Sequence, residues 1–241
     1  QGGLSTHDGA PVTRRGNGAL RCPRCRLHGS LCLCALVPRL ETRTRVVLYI
    51  HRFEERKPTN TGLLATSCLP NSEVRFRGRP SDTEPFTCPE GSRALVLFPY
   101  EGATPLDKLA SSDEPVTLVV PDGNWRQASK MYKRVPGLRG LPCVSLSPGP
   151  PSSYRLRAEA HDIGLSTLEA IARALGVLES VEVQRALEVV LLSMVERTLW
   201  ARGGVPRSGV TTGIPPGARR HDPRSGAAET EPDGAHPLGR R

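Results

Sequence analysis

Two groups of residues in this chain have the types and spacing to do chemistry. The first is Cys22-x-x-Cys25-x6-Cys32-x-Cys34, four thiols within thirteen residues. Zn²⁺ favours four soft ligands in a tetrahedron, and thiolates supply them. Four protein ligands leave no open position, so Cys22, Cys25, Cys32 and Cys34 point to a structural metal rather than a catalytic one. The alternative is four unrelated buried or reactive cysteines. Cys68, Cys88 and Cys143 lie in ordinary surroundings and read as small hydrophobes.

The second group is Asp122-Gly123-Asn124-Trp125-Arg126-Gln127, directly after the apolar run Val116–Val120. A helical pattern follows at once, so a buried strand empties into a tight turn that opens a helix. Ligands of open α/β sheets bind outside the carboxyl ends of strands, where Asp122 and Trp125 then sit. Asp122 is either a proton acceptor or the cap of the helix. Trp125 either stacks on a base or fills the core. Arg126 and Lys130, four apart, share a helix face that meets phosphates or solvent. Arg155 and Arg157 alternate around Leu156 in an extended segment and point the same way, toward an anion or toward water.

The elements that must position these residues follow from periodicity. Arg45–His51 is the first strand, and a short helical pattern runs through Leu63, Leu64 and Cys68. Arg93–Pro99, Val116–Val120 and Pro142–Leu146 are further strands. A helix spans about Trp125 to Arg134. Another starts at Ser166-Thr167-Leu168-Glu169, a capping-box spacing, and a last one covers roughly 182–201. Strands separated by helices or long crossovers indicate an α/β domain with a largely parallel sheet. The expected organisation is a disordered lead-in at 1–20, a cysteine knuckle at 21–40, an α/β domain at 41–202 and a disordered tail at 203–241.

The composition narrows the partners. Thirty-three Lys and Arg against 24 Asp and Glu give a net charge of +9, which favours a polyanion, most often nucleic acid. No apolar run is long enough for a membrane span. The first residues hold no apolar signal core and no initiating Met, so a reducing, cytoplasmic setting is expected, with the natural start upstream.

Read in order, the blocks Cys22–Cys34, His51-Arg52-Phe53-Glu54, Asn60-Thr61-Gly62, Leu97-Phe98-Pro99, Asp122–Ala128, Ser153–Arg157 and Ser166–Ala170 resemble the DTW-domain family, named for an Asp-x-Thr-Trp motif. The resemblance covers about residues 20–200. Asn124 stands where the family has Thr, and Arg52 where Pro commonly follows the His.

The resemblance implies a SPOUT-like fold, a largely parallel sheet flanked by helices. It also implies transfer of a 3-amino-3-carboxypropyl group from S-adenosylmethionine to a uridine of tRNA. Asp122, Asn124 and Trp125 would then be the catalytic group, with Asp122 taking the uracil N3 proton. Leu97, Phe98, Pro99, Ser166, Thr167 and Glu169 would border the cofactor. His51, Glu54, Asn60, Thr61, Arg126, Arg155 and Arg157 would serve the substrate. Two rivals stay open: a SPOUT-like S-adenosylmethionine-dependent RNA methyltransferase, and a zinc-ribbon RNA-binding protein without catalysis.

Overall fold

The computed structural model describes residues 20–109, 114–156, 164–221 and 228–229. Its centre is a pair of strands, β1 (Arg45–His51) and β5 (Val116–Asp122), buried along nearly their whole length. They belong to a six-stranded sheet completed by β2 (Ser72–Arg77), β3 (Arg93–Leu97), β4 (Thr104–Pro105) and β6 (Cys143–Ser145). All pairings are parallel and the order is β2-β1-β5-β3-β6-β4. The expected α/β class and largely parallel sheet are therefore what the chain adopts.

Strands buried on both faces read as continuous apolar runs, and alternation divides their side chains between two layers. Leu48, Ile50, Leu118 and Val120 point to one layer, which holds α2 (Thr61–Cys68), α4 (Thr167–Leu178) and α5 (Val181–Ala201). Val47, Tyr49, Val96 and Val119 point to the other, where Ala128 and Met131 of α3 (Trp125–Arg134) meet them. Each of these helices starts on a side-chain cap: Asn60, Asn124, Ser166 and Ser180 accept from the backbone of the first turn. A one-turn helix, α1 (Arg52–Glu55), follows β1.

The structure adds β2 and β4 to the expected strands. β2 pairs with β1 at the edge of the sheet. Its Ser-Glu-Val-Arg-Phe-Arg sequence suits that place, since charged side chains keep an edge from pairing further. Arg77 lies over the Tyr49 ring at 4.8 Å, and Glu73 bridges Arg45 and Arg75 at 2.7 and 2.5 Å.

Leu27, Leu31 and Leu33 anchor the cysteine loop in the larger core layer. Arg197 of α5, buried, donates to Cys32 O at 2.6 Å and to Gly213 O at 2.9 Å. Its neighbour Glu196 accepts from Thr211 N at 2.8 Å and from Thr211 Oγ1. Part of the segment expected to be a disordered tail is thus packed. Val205, Val210, Ile214 and Ala218 lie on the core because two buried charges of α5 take their hydrogen bonds from this stretch. The lead-in at 1–19 and the end of the chain from 230 lie outside the described residues. Among the described residues, no helix is long and apolar enough to cross a membrane.

Candidate active site

A cavity of about 1120 Å³ opens at the carboxyl ends of β3, β5 and β6. The strand order reverses here, with β5 inserted between β1 and β3, which is where open sheets bind ligands. Asp122 stands on its floor and is only 6% exposed. Its Oδ2 accepts from Asn60 Nδ2 at 2.6 Å and its Oδ1 from Thr167 Oγ1 at 2.5 Å. Gly62 makes this placement possible, since a Cβ there would lie 2.9 Å from Oδ2. Asp122 is not the cap of α3. Asn124 fills that role: its side chain accepts from Gln127 N at 2.9 Å, and Gln127 Oε1 accepts from Asn124 N at 2.8 Å.

Asn60 does two jobs with one amide. Oδ1 caps α2 through Leu63 N at 2.8 Å, which turns Nδ2 toward Asp122. Thr61 and Thr167 both line the cavity, and Thr61 Oγ1 accepts from Leu168 N. Leu97, Phe98 and Pro99 form an apolar wall. Trp125 is 52% exposed and lies on the lip with its ring 5.4 Å from that of Phe98, so it is not a core residue. The buried tryptophan is Trp200.

Charge enters the cavity from Glu54, which pairs with Lys57 at 2.5 Å, and from Arg173. Lys57 and Arg173 lie outside every sequence motif. Arg173 is recoverable from spacing: Ser166, Ala170 and Arg173 recur at i, i+4 and i+7, one face of α4, and all three border the cavity. The loop Ser147–Ser152 is also part of the wall, a consequence of following directly on β6.

Other candidates stand elsewhere. Glu169 turns from the cavity and clasps the wall loop. It accepts from Ser152 Oγ at 2.7 Å, Ser153 N at 2.7 Å and Ser166 N at 2.8 Å. Burial opposes its charge, but the bonds from Ser152, Ser166 and Ser153 win and hold the carboxyl below its ordinary value. A depressed carboxylate adds stability above its unfolded value and loses it as pH falls through the folded one. Glu169→Gln is therefore expected to cost about 2 kcal/mol at neutral pH, the worth of hydrogen bonds to a charged group. Thermal melts across pH check this: the gap between wild type and variant should begin to narrow as pH falls through about 4.3, the ordinary value, and close below the depressed folded one. A gap that persists in acid would contradict it.

His51 caps α1 and lies outside the cavity lining. Gln127 Oε1 already accepts from Asn124 N, so Gln127 Nε2 donates to His51 Nδ1 at 3.2 Å. Burial and Arg52 hold the imidazole below its ordinary value, consistent with a neutral ring accepting at Nδ1. Arg126 is exposed on α3. Arg155 is exposed in a turn, not the extended segment expected, and Arg157 lies outside the described residues.

The four cysteine sulfurs lie within 4.8 Å of one another, with Cys22 and Cys34 3.5 Å apart and Cys25 and Cys32 3.8 Å apart. A tetrahedral ion with bonds of about 2.3 Å needs sulfurs about 3.8 Å apart, so the set can hold one. Although burial opposes it, the Cys25 and Arg24 amides and neighbouring thiols bring Cys22 down to about 6. Burial and the same thiols push Cys34 up to about 12. A cation bound among four thiols this close would draw off their protons and hold them as thiolates.

A family model described as the DTW domain matches residues 19–199. The chain belongs to the DTW-domain family. It is 29% identical over 168 residues to tRNA-uridine aminocarboxypropyltransferase 2 of Drosophila melanogaster, covering 66% of this chain and 67% of that protein. It is 33% identical over 167 residues to the Macaca fascicularis protein of the same name, covering 66% of this chain and 56% of that one. The chain thus spans only about half to two thirds of these relatives. Among solved structures it is similar to the SAM-dependent rRNA:acp-transferase Tsr3 from Vulcanisaeta distributa. That likeness has a TM-score of 0.40 and 17% identity, over 66% of this chain and 84% of that one, too low to carry an argument about the site.

Within the DTW domain, the Asn124 departure has a structural explanation. The position is a helix cap, and Asn caps at least as well as Thr.

Proposed function

We propose that this DTW-domain protein transfers the 3-amino-3-carboxypropyl group of S-adenosylmethionine to N3 of a tRNA uridine, with methylthioadenosine as the leaving group. The observation that carries the reading is Asp122. It is a buried carboxylate on the cavity floor, oriented by Asn60 and Thr167, inside the motif that names the family.

The cavity fits the cofactor in size and chemistry. Leu97, Phe98 and Pro99 offer an apolar wall to a purine, while Arg173 offers a cation to a carboxylate. Bound there, S-adenosylmethionine supplies a methylene carbon activated by the sulfonium. The chain has to align a uracil with it and take one proton. Asp122 takes that proton from N3. Asn60 donates to one of its oxygens and Thr167 to the other, and a carboxylate oxygen can accept more than one hydrogen bond. Asn60 and Thr167 hold the carboxylate ready, so it need not reorganise as charge develops. Trp125 gives the uracil or its neighbour a stacking face at the lip. Cys22, Cys25, Cys32 and Cys34 hold a structural Zn²⁺ away from this chemistry.

S-Adenosylmethionine labelled at the carboxyl carbon tests the reading directly. Label is expected in tRNA after incubation with the protein. A methyltransferase would leave that label off the RNA, and a binding protein without catalysis would consume none. Trp125→Ala is expected to raise KM for tRNA about tenfold, since base–aromatic stacking is worth about 1–3 kcal/mol. Steady-state kinetics with tRNA as the varied substrate check this, and an unchanged KM would remove the stacking role.

A further inference from the structure

α3 carries a charge pattern that proton transfer at Asp122 does not require. It holds Arg126, Lys130, Lys133 and Arg134 and no acidic residue. Ala128 and Met131 face the sheet, so Arg126, Lys130 and Lys133, at i, i+4 and i+7, share the opposite, outward face. All three are exposed, and none has a carboxylate partner among the described residues. At 1.5 Å per residue this basic row is about 10 Å long.

A second row runs beside it. Trp125 and Tyr132, also seven apart, flank the same helix. Phe98 stands 5.4 Å from Trp125 and 6.4 Å from Tyr100, and Tyr100 stands 5.4 Å from Tyr132. Four of the chain's few aromatic rings, from two Trp, four Tyr and four Phe, thus form one connected line. It starts at the cavity lip. Lys133 joins the rows, with its ammonium 5.5 Å from the Tyr100 ring centre.

Parallel lines of cations and aromatic rings match the chemistry of a single strand of RNA, which presents phosphates on one side and unpaired base faces on the other. We infer that the outward face of α3 and the aromatic line beside it carry the RNA strand next to the target uridine. Arg126, Lys130 and Lys133 meet its phosphates, and Trp125 and Tyr100 meet its bases. The inference rests on the proposed RNA substrate and adds the path by which the RNA reaches the cavity.

The test is the salt dependence of binding to fluorescein-labelled tRNA, measured by anisotropy between about 50 and 200 mM salt. Each phosphate contact to a single strand contributes about 0.7 to the slope of log K against log salt. The variant Arg126→Ala/Lys130→Ala/Lys133→Ala is expected to lose about 2 from that slope and to bind at least about tenfold more weakly at the lower salt. Its affinity for S-adenosylmethionine, measured by calorimetry, should match wild type. A charge-matched control, Arg43→Ala/Arg207→Ala/Arg219→Ala, should keep the wild-type slope. An unchanged slope in the α3 variant, or an equal loss in the control, overturns the inference. Should the triple variant fail to fold, the exposed single change Lys130→Glu carries the same test, with a weakened slope for it and an unchanged one against it. The proposed activity is scored separately, by label transfer with the wild-type protein. Transfer with an unchanged slope in the variant removes the RNA path alone. A lost slope with no wild-type transfer removes the activity alone.

Discussion

Asp122→Asn is expected to lower the rate of transfer by about 10²–10⁴-fold, the usual worth of a positioned proton acceptor, while the protein stays folded. The surroundings of Asp122 explain why both halves of that result should hold. The asparagine oxygen can still accept from Asn60 Nδ2. Its amide nitrogen can donate to Thr167 Oγ1, because a hydroxyl turns from donor to acceptor. Volume and both of these hydrogen bonds survive, while the carboxylate's charge and basicity are lost. Asp122→Ala should behave differently, leaving the Asn60 amide buried without its acceptor at a cost of about 1–3 kcal/mol. The comparison of single-turnover rates with melting temperatures separates the two variants. An Asp122→Asn protein that turns over normally would remove Asp122 from the chemistry.

Removing the metal is expected to act on the fold instead. The cysteine loop has little regular structure, two short 3-10 turns, and the ion is what would fix its shape. Once released, the loop would no longer hold Leu27, Leu31 and Leu33 in the core, each worth about 1.5–3 kcal/mol when buried. Arg197 would lose its acceptor at Cys32 O on the inner turn of α5. A loss of several kcal/mol corresponds to a fall in Tm of the order of 10 °C for a chain of this size. Chelation of the metal-loaded protein, or Cys25→Ser, should produce it. A chelated protein shown to be metal-free and melting as before would assign the cysteines no structural role.

Much of this arrangement is legible in the sequence because single residues carry local rules. Ser166 and Glu169 sit at capping-box spacing and form that box. Val116–Val120 is apolar but for Thr117 and lies in the middle of a parallel sheet. The strand runs two residues further, to Asp122, because β1 keeps pairing with it, and Pro121 is tolerated there because β3 stops pairing after Val119 and leaves that side open. What stays hidden is what tertiary packing decides. Nothing local says that Asn60 turns its amide toward Asp122, or that Glu169 clasps the loop rather than facing the cavity. The buried charges Glu196 and Arg197 sit within an ordinary helical pattern, so the packing of residues 205–218 against them could not be read from composition. Arg173 had a spacing signal, but α4 also needed most of its apolar face for the core, which masks a single polar face.

The proposed transfer is tested most directly by mass spectrometry of both products after tRNA is incubated with purified protein and S-adenosylmethionine. The expected products are a uridine carrying a four-carbon amino acid group and an equal amount of methylthioadenosine. A methylated nucleoside with S-adenosylhomocysteine, or unmodified tRNA with the cofactor intact, would contradict it.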